Sequence, residues 1–490
     1  RSAPWYTSAS ASPQFASRRG RRRALERIVQ LEGHITPEQV RRSPFLYLPF
    51  PVPERTRRLH VSYSYSDPVR APFGLGPGNT VDIGIFDSRG HGFLDAPGFR
   101  GWSGSSKPEF FIAPHAATPG YIRGPLFPGE WNIMLGVDRI EPEGARYAVT
   151  VHLDLGQPEE AVASATEARP RSRSADGRSR WVKGDLHSHT VHSVGEYTVE
   201  ELARRAIELG LDFLAVTDHN TTTHHEDVAS LAHLPITIIP GEEVTTYFGH
   251  ANVWGLREWV EVRCVDDDAM RAVREHVLRK SGLISVNHPK SVGPPWFFRG
   301  WDGYPCMEVW QAPWRFYNWE SLERWDALLR RGQRVVAVGG SDTHSVPPAP
   351  PRHPHGLGNP TTWVWAEGGP HEESILEGIR RGHVFIGDAP DGARLILTAD
   401  EDGDGRFERM MGDTVTAPEG RRVQFRVQVL GGADRRLWLI SDGHPLDIIP
   451  LDREDSIFTF SLEASGHRYV RAELRGYRGN AVRGEVVWAL

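Results

Sequence analysis

The sequence predicts an α/β fold in which a βα barrel or an open α/β sheet is flanked by N-terminal and C-terminal β-sandwich-like domains. One observation is a series of short apolar runs in the middle of the 490 residues, of a length that suits strands covered on both faces. Segments of helical period separate most of these runs. On either side of them, alternating polar and apolar residues between Gly/Pro-rich turns indicate antiparallel sheets. Alternating strands and helices between two β segments predict this architecture.

The predicted central strands end in polar residues. Four of them are Leu211 to Thr217 before Asp218-His219, Pro235 to Ile239 before Gly241-Glu242-Glu243, Leu283 to Val286 before Asn287-His288, and Val335 to Val338 before Ser341-Asp342. The carboxyl ends of parallel strands meet at one rim, which is where barrel enzymes build their sites. We therefore expect these side chains to lie close together.

The clearest predicted helix covers Val199 to Leu209, where apolar residues recur at helical spacing. Thr198 and Glu201 form a capping-box pattern before it, and Gly210 is a plausible stop. Weaker helical patterns cover Asp268 to Lys280, Glu320 to Arg331 and Glu373 to Arg381.

We divide the chain into an N-terminal arm (1–43), a β-sandwich or jelly-roll-like domain (44–155), a linker (156–180), the barrel (181–390) and a C-terminal β domain (391–490). The flanking strands are predicted at Arg58 to Tyr65, Val81 to Phe86, Tyr147 to Leu153, Arg394 to Leu397, Val423 to Val429, Arg436 to Ile440 and Ile457 to Leu462. These modules are expected to pack beside the barrel or to form the contact of a homo-oligomer, with carbohydrate binding as the alternative.

Histidines and carboxylates recur in short segments along the predicted barrel. They are Gly184-Asp185-Leu186-His187-Ser188-His189, Thr217-Asp218-His219-Asn220, Pro240-Gly241-Glu242-Glu243, Gly249-His250, Asn287-His288-Pro289 and Gly340-Ser341-Asp342-Thr343-His344. A lone histidine is more often a hydrogen-bonded core or surface residue, but recurrence at five strand ends predicts metal binding. Imidazole and carboxylate ligands suit zinc, manganese or iron, and the cluster contains no cysteine for a thiolate site.

The residues of these segments and their order along the chain resemble those of the PHP (polymerase and histidinol phosphatase) superfamily of metallohydrolases. The stretch Glu308 to Trp314 and the run Trp325 to His344 resemble its CehA/McbA branch, the carbaryl-hydrolase-like proteins. The resemblance covers about residues 181 to 395. It implies a distorted (β/α)7 barrel with two or three divalent metal ions at the strand carboxyl ends.

The resemblance also implies a ligand set. A first ion would be held by His187, His189, Glu243 and Asp342. Glu243, rather than Glu242, fits the bridging position and would be shared with a second ion. His250 and His288 would complete that second ion.

A third ion would take His219 and His344 together with an aspartate, but the aspartate position is Val194 here. Either His192 or Glu196 substitutes for the aspartate, or the third site is weak or empty. We favour one or two ions, which leaves His219 and His344 for proton transfer or oxyanion contact.

A bound divalent ion lowers the pKa of water to about 7 and so provides hydroxide at neutral pH. Leaving-group protonation needs an acid with a pKa near the working pH, for which His344 is the first choice and His219 the second. Asp185 and Asp218 are expected to orient ligand imidazoles, and the alternative is that they cap loops or helices.

The expected partner is a small-molecule ester, with an aromatic group suggested by the insert after His288. Lys290 and Arg299 are candidates for phosphate contacts, and Trp310 and Trp314 for a pocket wall; solvated cations and core packing are the alternatives. The resemblance favours phosphoester hydrolysis. The alternatives are hydrolysis of a carbamate or carboxyl (aryl) ester, and a non-catalytic metal- or carbohydrate-binding protein.

The net charge of −6 and the pI near 6.4 make no strong case for nucleic acid as a partner. No apolar stretch approaches the roughly 18 residues that a membrane span needs. The two cysteines, Cys264 and Cys306, weakly favour a reducing, cytoplasmic compartment. Because the chain begins at Arg1, a removed secretion signal stays an open alternative, and the basic run Arg18 to Arg23 is expected to be disordered.

Two further polar segments are expected to have no role in the site. Asp400 to Gly405 resembles the start of a calcium loop, but position twelve is Met411 instead of a glutamate, which predicts an acidic turn between strands. His224, His225 and His233 are interpreted as exposed helix or loop residues.

Overall fold

The computed structural model describes residues 25–69, 76–156, 177–345, 356–463 and 465–476. The described strands are β1 (Leu25–Ile35), β2 (Phe45–Val52), β3 (Thr56–Tyr65), β4 (Thr80–Phe86), β5 (Phe99–Gly104), β6 (Glu109–Ile112), β7 (Gly129–Arg139), β8 (Ala145–Leu155), β9 (Arg180–Asp185), β10 (Phe213–Val216), β11 (Thr237–Thr246), β12 (Gly249–Trp254), β13 (Leu283–Val286), β14 (Cys306–Gln311), β15 (Val336–Gly340), β16 (Thr361–Ala366), β17 (Val384–Gly387), β18 (Arg394–Asp400), β19 (Arg409–Met410), β20 (Arg422–Leu430), β21 (Arg435–Ser441), β22 (His444–Pro450), β23 (Ser456–Glu463) and β24 (Val470–Gly476). The helices are α1 (Pro37–Arg42), α2 (Val199–Glu208), α3 (His225–Ser230), α4 (Asp267–Arg279), α5 (Asn318–Arg330) and α6 (Glu372–Arg381).

The N-terminal segment forms two antiparallel four-stranded sheets, in the orders β1-β8-β3-β6 and β2-β7-β4-β5. Their inner faces share one apolar core, in which Leu59 and Val61 of β3 meet Trp131 and Ile133 of β7. The arrangement is that of a β-sandwich. Residues 25–42, which the sequence suggested as part of an arm, form β1 and α1, and β1 pairs with β8 along its whole length.

The central sheet has nine strands in the order β15-β14-β13-β12-β11-β10-β9-β16-β17. Seven of them run in one direction, and β12 and β16 run in the other. The fold is therefore mixed α/β and rich in strands, and the expected (β/α)7 barrel is not confirmed. The difference arises because β11 turns directly into β12 as a hairpin, and because β16 inserts between β9 and β17.

The two ends of this sheet come close together. The Thr362 hydroxyl of β16 accepts a hydrogen bond from the Gly339 amide of β15 at 2.9 Å and contacts the Gly339 carbonyl at 2.7 Å. A side chain at Gly339 would also press on Ile386 of β17. The sheet is thus nearly closed, so one rim gathers the carboxyl ends of its parallel strands.

The helices of the central unit are few, and they lie close to the predicted positions. Helix α2 begins with the predicted capping box, because the side chain of Thr198 accepts from the Glu201 amide and the Glu201 carboxylate accepts from the Thr198 amide. Its apolar stripe, including Val199 and Leu202, is buried against β10. Helices α4, α5 and α6 each begin one or two residues before the predicted start.

The C-terminal segment forms two small antiparallel sheets, in the orders β19-β18-β20-β23 and β22-β21-β24. Leu395 and Leu437 pack in a core that also includes Trp363 and Phe385 of the central sheet. The predicted acidic turn lies between β18 and β19, where the Asp400 carboxylate accepts the amides of Gly403 and Gly405.

The structure also bears on the predictions about membrane spans and disulfides. In the described part of the chain, no helix is both long enough and apolar enough to cross a membrane. Cys264 and Cys306 are both buried thiols and form no disulfide. Residues 157–176 of the suggested linker and the run Arg18 to Arg23 lie outside the described residues.

Candidate metal centre

The eight predicted ligands converge on one rim of the central sheet. Six come from strand ends or the turns after them, and Glu243 and His250 lie on the two strands of the β11–β12 hairpin, two register positions apart. Their ligand atoms form three overlapping groups, each close enough to hold one ion. The groups are His187, His189 and Glu243; Glu243, His250 and His288; and His189, His219 and His344.

Glu243 is common to two of these groups, and its carboxylate lies at the centre of the site. Its Oε2 atom lies 2.8 Å from His219 Nδ1 and 3.6 Å from His189 Nε2. Its Oε1 atom lies near a nitrogen of three more histidines: His187 Nε2 at 3.3 Å, His250 Nδ1 at 3.3 Å and His288 Nε2 at 3.4 Å. Glu242 takes another direction, where its carboxylate accepts the Val260 amide at 2.8 Å.

Asp342 joins the first group from the turn after β15. Its Oδ1 atom lies 2.9 Å from His189 Nε2 and 3.3 Å from His187 Nε2. The Gln311 side chain donates to the other oxygen, Oδ2, at 2.8 Å. Gln311 of β14 therefore orients the Asp342 carboxylate so that its Oδ1 atom faces His187 and His189.

The third group consists of imidazoles alone. The ring of His189 contacts those of His219 and His344, with centroids 4.3 Å apart in both pairs, and the rings of His219 and His344 lie 5.8 Å from each other. Val194 is exposed, and His192 uses both ring nitrogens elsewhere, on Thr223 at 2.8 Å and Asp227 at 2.9 Å. His192 thus does not replace the missing aspartate in this arrangement.

The donor set fits a divalent metal ion. Within the described residues, His187 Nε2 and His189 Nδ1 are fully buried nitrogens without a hydrogen-bond partner, which is costly unless something else binds them. Carboxylate oxygens lie 3.3 Å from His187 Nε2 without hydrogen-bond geometry, as ligands around a common centre do. Mixed imidazole and carboxylate donors are those of zinc, manganese and iron sites.

Electrostatics in the site favour a cation. Burial opposes the charge on His187, but the carboxylates of Asp342, Glu308 and Glu243 outweigh it and hold its pKa well above the ordinary value. Burial and the neighbouring imidazoles of His219 and His344 lower the pKa of His189 to about 3, so that this ring is neutral and able to act as a ligand. Ligand protons compete with a metal ion, so metal binding is coupled to proton release.

The neighbouring imidazoles also shift the pKa values of the two carboxylates in the site. Burial would raise the pKa of Glu243, but the imidazoles of His187, His250 and His219 hold it well below the ordinary value. The pKa of Asp342 is likewise held well below its usual range, against burial, by His187 and His189. Both carboxylates are therefore ionised at neutral pH.

The backbone at the rim adopts conformations that side chains rarely favour. His288, Asp342 and Asn220 have positive φ angles of 30°, 52° and 55°. Residues held in such regions cost on the order of 1–3 kcal/mol each and cluster at functional sites. Three strained residues at the ends of three strands indicate that side-chain placement here takes precedence over local stability.

Asp185 and Asp218 do not orient ligand imidazoles, contrary to our first expectation, and the loop-capping alternative describes them. Asp185 accepts the amides of His187, Ser341 and Gly358. Asp218 accepts the amide and hydroxyl of Thr190, among other donors. Both carboxylates tie together the backbones of the loops that carry the ligands.

His224 also differs from expectation, because it is fully buried instead of exposed. Its Nδ1 atom lies 3.2 Å from the Asp218 carboxylate. His225 is partly buried and contacts the Gly241 carbonyl at 3.1 Å, whereas His233 is exposed as expected. The apolar period of this short segment was too weak to show which side of α3 faces the sheet.

Sequence reasoning missed Glu308, a buried carboxylate in β14. Its Oε1 atom lies 2.8 Å from His187 Nδ1, and its Oε2 atom accepts the His288 amide at 3.0 Å. A side chain at Gly340 would collide with both His187 and Glu308. The available signal was a glutamate inside an otherwise apolar strand, which needs a buried partner.

The four tentative substrate residues are placed in different surroundings. Lys290 is buried, and its ammonium donates to the Gln311 carbonyl at 3.1 Å and to Asn318 Oδ1 at 2.9 Å, so it connects the end of β14 to the start of α5. Arg299 is exposed, and its amide binds Asp267 at the start of α4. Trp310 is buried in the core against Trp325, so it forms no pocket wall, and Trp314 packs edge-on against it.

The N-terminal sandwich packs on one side of the rim. The Tyr247 hydroxyl, in the β11–β12 turn, donates to the Asp82 carboxylate of β4 at 2.9 Å. The Trp259 ring stacks on Phe99 with centroids 4.0 Å apart. Lys107 donates to the Ser193 carbonyl at 2.8 Å, in the loop after the His-x-His pair.

Comparison with known proteins finds similarity over part of this chain. A model of the PHP domain matches residues 185–274. The 5′-3′ exoribonuclease Rnm of Salmonella typhimurium is 37% identical over 101 residues, which are 20% of this chain and 32% of that protein. The 5′-3′ exoribonuclease Rnm of Escherichia coli is 44% identical over 66 residues, which are 13% of this chain and 22% of that protein. The similarity thus spans about a third of one relative and about a fifth of the other.

Among solved structures, one similar chain is a two-domain protein from Bacteroides vulgatus described as containing a predicted PHP-like metal-dependent phosphoesterase. It is 17% identical, and the alignment covers 65% of this chain and 96% of that one with a TM-score of 0.36. The PHP-domain match contains His187, His189, His219, Glu243 and His250. It supports the assignment of this part of the chain to the PHP superfamily.

Proposed function

We propose that the protein is a metal-dependent hydrolase that cleaves a phosphoester. The observation that carries this proposal is the position of Glu243, whose carboxylate belongs to two groups of ligands at once, with His187 and His189 in one and His250 and His288 in the other. A carboxylate so placed can bridge two ions. Ions bound there would supply an activated water at neutral pH and would polarise the ester.

The chain's own groups supply the proton chemistry in this proposal. His344 has the most exposed side chain among the predicted ligands, at 40%, and its Nδ1 atom lies 3.0 Å from the Asp342 carbonyl. That contact leaves Nε2 to face a substrate, so His344 is our first choice as the acid that protonates the leaving group. His219, at 19% exposure and with Nδ1 on Glu243, is the second.

Three considerations support phosphoester cleavage as the reaction. The PHP-domain match covers the His-x-His pair and Glu243. Two relatives that match part of this chain are called exoribonucleases, and cleaving RNA breaks phosphodiester bonds. Two ions bridged by a carboxylate can stabilise both the attacking and the leaving oxygen of a phosphoryl group.

A carbamate or carboxyl aryl ester is the second candidate substrate. It is favoured by two aromatic residues that remain exposed after β14, Tyr317 and Trp319. The resemblance to the CehA/McbA branch, the carbaryl-hydrolase-like proteins, also supports this candidate. That resemblance rests in part on the tryptophan-rich stretch that contains Trp310 and Trp314. A non-catalytic binding protein would show metal without turnover.

The test is elemental analysis of the purified protein combined with hydrolysis assays. The substrates are p-nitrophenyl phosphate, bis-p-nitrophenyl phosphate and 1-naphthyl N-methylcarbamate, with added zinc or manganese. His187→Ala is expected to lose both metal and turnover, and the exposed His233→Ala is the matched control that keeps both. Turnover of the carbamate alone would favour the second candidate, and metal without turnover would contradict hydrolysis.

A further inference from the structure

Two aromatic side chains stand exposed at the start of helix α5. Tyr317 and Trp319 are 42% and 40% exposed, and their ring centroids lie 4.7 Å apart at an interplanar angle of 32°. We call them the aromatic pair. In contrast with the buried Trp310, each presents ring surface that the fold does not cover.

The residue between them connects the aromatic pair to the metal centre. Asn318 is fully buried, and its Oδ1 atom accepts from Lys290 Nζ at 2.9 Å and from the Gln311 amide at 3.0 Å. Its side-chain nitrogen donates to the Gln311 carbonyl at 2.9 Å. The Gln311 side chain in turn binds Asp342. The backbone that carries the aromatic pair is therefore connected to Asp342 through Asn318 and Gln311.

A second tether comes from the loop after His288. Both the amide and the hydroxyl of Ser291 bind the Glu320 carboxylate, at 2.7 Å and 2.9 Å. Glu320 follows Trp319 directly. The loop that carries a predicted ligand and the helix start that carries the aromatic pair are thus fastened to each other at the same rim.

Local stability does not explain the residue at position 317. Tyr317 is the N-cap of α5, with a left-handed backbone at φ 59° and no side-chain capping bond. Serine, threonine, aspartate or asparagine would satisfy a helix amide there, and a left-handed non-glycine residue costs on the order of 1–3 kcal/mol. A tyrosine in this position sacrifices stability and gains an exposed ring beside the site.

The most exposed predicted ligand lies close to the residues that tie the aromatic pair to the site. His344, two residues after Asp342, has a side chain that is 40% exposed, against 11% for His250. The N-terminal sandwich contacts the rim through Tyr247, Trp259 and Ser193, and none of these three residues belongs to β14 or α5. An ester that reaches the ligands beside Asp342 would have the start of α5, which Asn318 ties to Gln311, close to its remaining part.

We propose that Tyr317 and Trp319 bind a planar aromatic ring of the ester whose reacting group lies at the metal centre. The inference rests on the proposed function and names its substrate class, an ester that carries such a ring. Stacking on aromatic side chains contributes about 1–3 kcal/mol per ring, a factor of roughly 5 to 150 in binding. The ring is a nucleobase or an aryl group, which have the same stacking chemistry.

The test compares ring-bearing with ringless esters. For 1-naphthyl phosphate and adenosine 5′-monophosphate, Trp319→Ala and Tyr317→Ala are expected to raise KM about tenfold, within the range for a stacked ring. The kinetics of methyl phosphate should not change. Trp319→Phe should recover most of the affinity, and the exposed Phe297→Ala is the control. A higher KM for only one of the two ring-bearing esters identifies the ring as aryl or as nucleobase. An equal rise in KM for methyl phosphate overturns the proposal. So does an unchanged KM for both ring-bearing esters.

A second measurement separates this proposal from the proposed function. If the wild-type protein hydrolyses none of the esters, the hydrolase assignment fails, and ring binding is then measured by equilibrium dialysis with adenosine and 1-naphthol. Binding that is lost in Trp319→Ala and kept in Phe297→Ala supports the ring site on its own. Equal binding by all three proteins overturns it. Thermal melting of each variant confirms that it is folded.

Discussion

Glu308 Oε1 lies 2.8 Å from His187 Nδ1, and this contact decides which nitrogen of His187 faces the metal centre. With Nδ1 engaged, Nε2 points at Glu243 and Asp342, at 3.3 Å from each. The other Glu308 oxygen accepts the amide of His288, a ligand of the second group. One carboxylate thus positions ligands of both predicted ions.

For Glu308→Gln, we expect a dissociation constant for zinc or manganese that is about 10 to 100 times higher, because partners behind a ligand histidine have effects of this size. Isothermal titration calorimetry or competition with a chelator measures it. Glu323→Gln, an exposed position on α5, is the control. Unchanged metal affinity would mean that Glu308 only supports the strand.

Glu243→Gln and Glu242→Gln should behave oppositely although they are neighbours. Glu243 is shared by two ligand groups, so its loss should weaken metal binding by more than about 100-fold, beyond the range for outer partners. Burial holds the pKa of Glu242 well above the ordinary value, so glutamine resembles its neutral form and metal content should persist. Elemental analysis after dialysis distinguishes the two, and equal loss in both would contradict the assignment of Glu243 as the bridge.

Val194→Asp should raise the number of bound ions per chain. The third group offers three imidazoles and no carboxylate, and His192 is engaged by Thr223 and Asp227. Val194→Asn is the control without charge. A metal count that stays the same in Val194→Asp would mean either that Glu196 already serves or that the third group binds no ion.

Asp82→Asn should alter the pH dependence of stability. Burial raises the pKa of Asp82 from 3.8 to about 7, although the Tyr247 hydroxyl opposes this. Between these values the unfolded chain loses the proton before the folded chain does, so the free energy of unfolding falls as pH rises from about 4 to 7. The slope is at most about 1.4 kcal/mol per pH unit.

Asparagine does not titrate, so Asp82→Asn should be more stable than wild type at pH 8, and the difference should shrink at pH 5. Urea denaturation at the two pH values measures it, with the exposed Asp95→Asn as control. A difference that is the same at both pH values would show that Asp82 is ionised throughout.

Trp310→Ala should destabilise the protein by about 3–5 kcal/mol, the usual cost of removing a buried large aromatic side chain. Trp310 is 2% exposed, and its indole nitrogen donates to the Ala312 carbonyl at 3.0 Å. Urea denaturation gives the loss. The ratio of KM values for ring-bearing and ringless esters should stay at the wild-type level, in contrast with Trp319→Ala; a changed ratio would restore Trp310 as a wall of the site.

Four strands and four helices of the central unit, and which predicted ligands lie at one rim, could be predicted from the sequence. Short apolar runs ending in His, Asp or Glu mark strand ends, and parallel strand ends share a rim whatever the order of the strands. The capping box of Thr198 and Glu201 is local, so it needed no tertiary information. Helix signals are likewise local, so the first and last residues of the predicted helices lie within one or two residues of the observed ones.

Only the tertiary structure decided which strands pair and which way a buried side chain faces. An apolar run does not reveal that β12 and β16 run against their neighbours, because strand pairing joins residues distant in sequence. Glu308, Trp310 and His224 acquire part of their surroundings from such distant segments. The sequence by itself determined the chemistry of the predicted metal ligands and placed most of them at strand ends; the packing determined which residues hold them and which residues cover them.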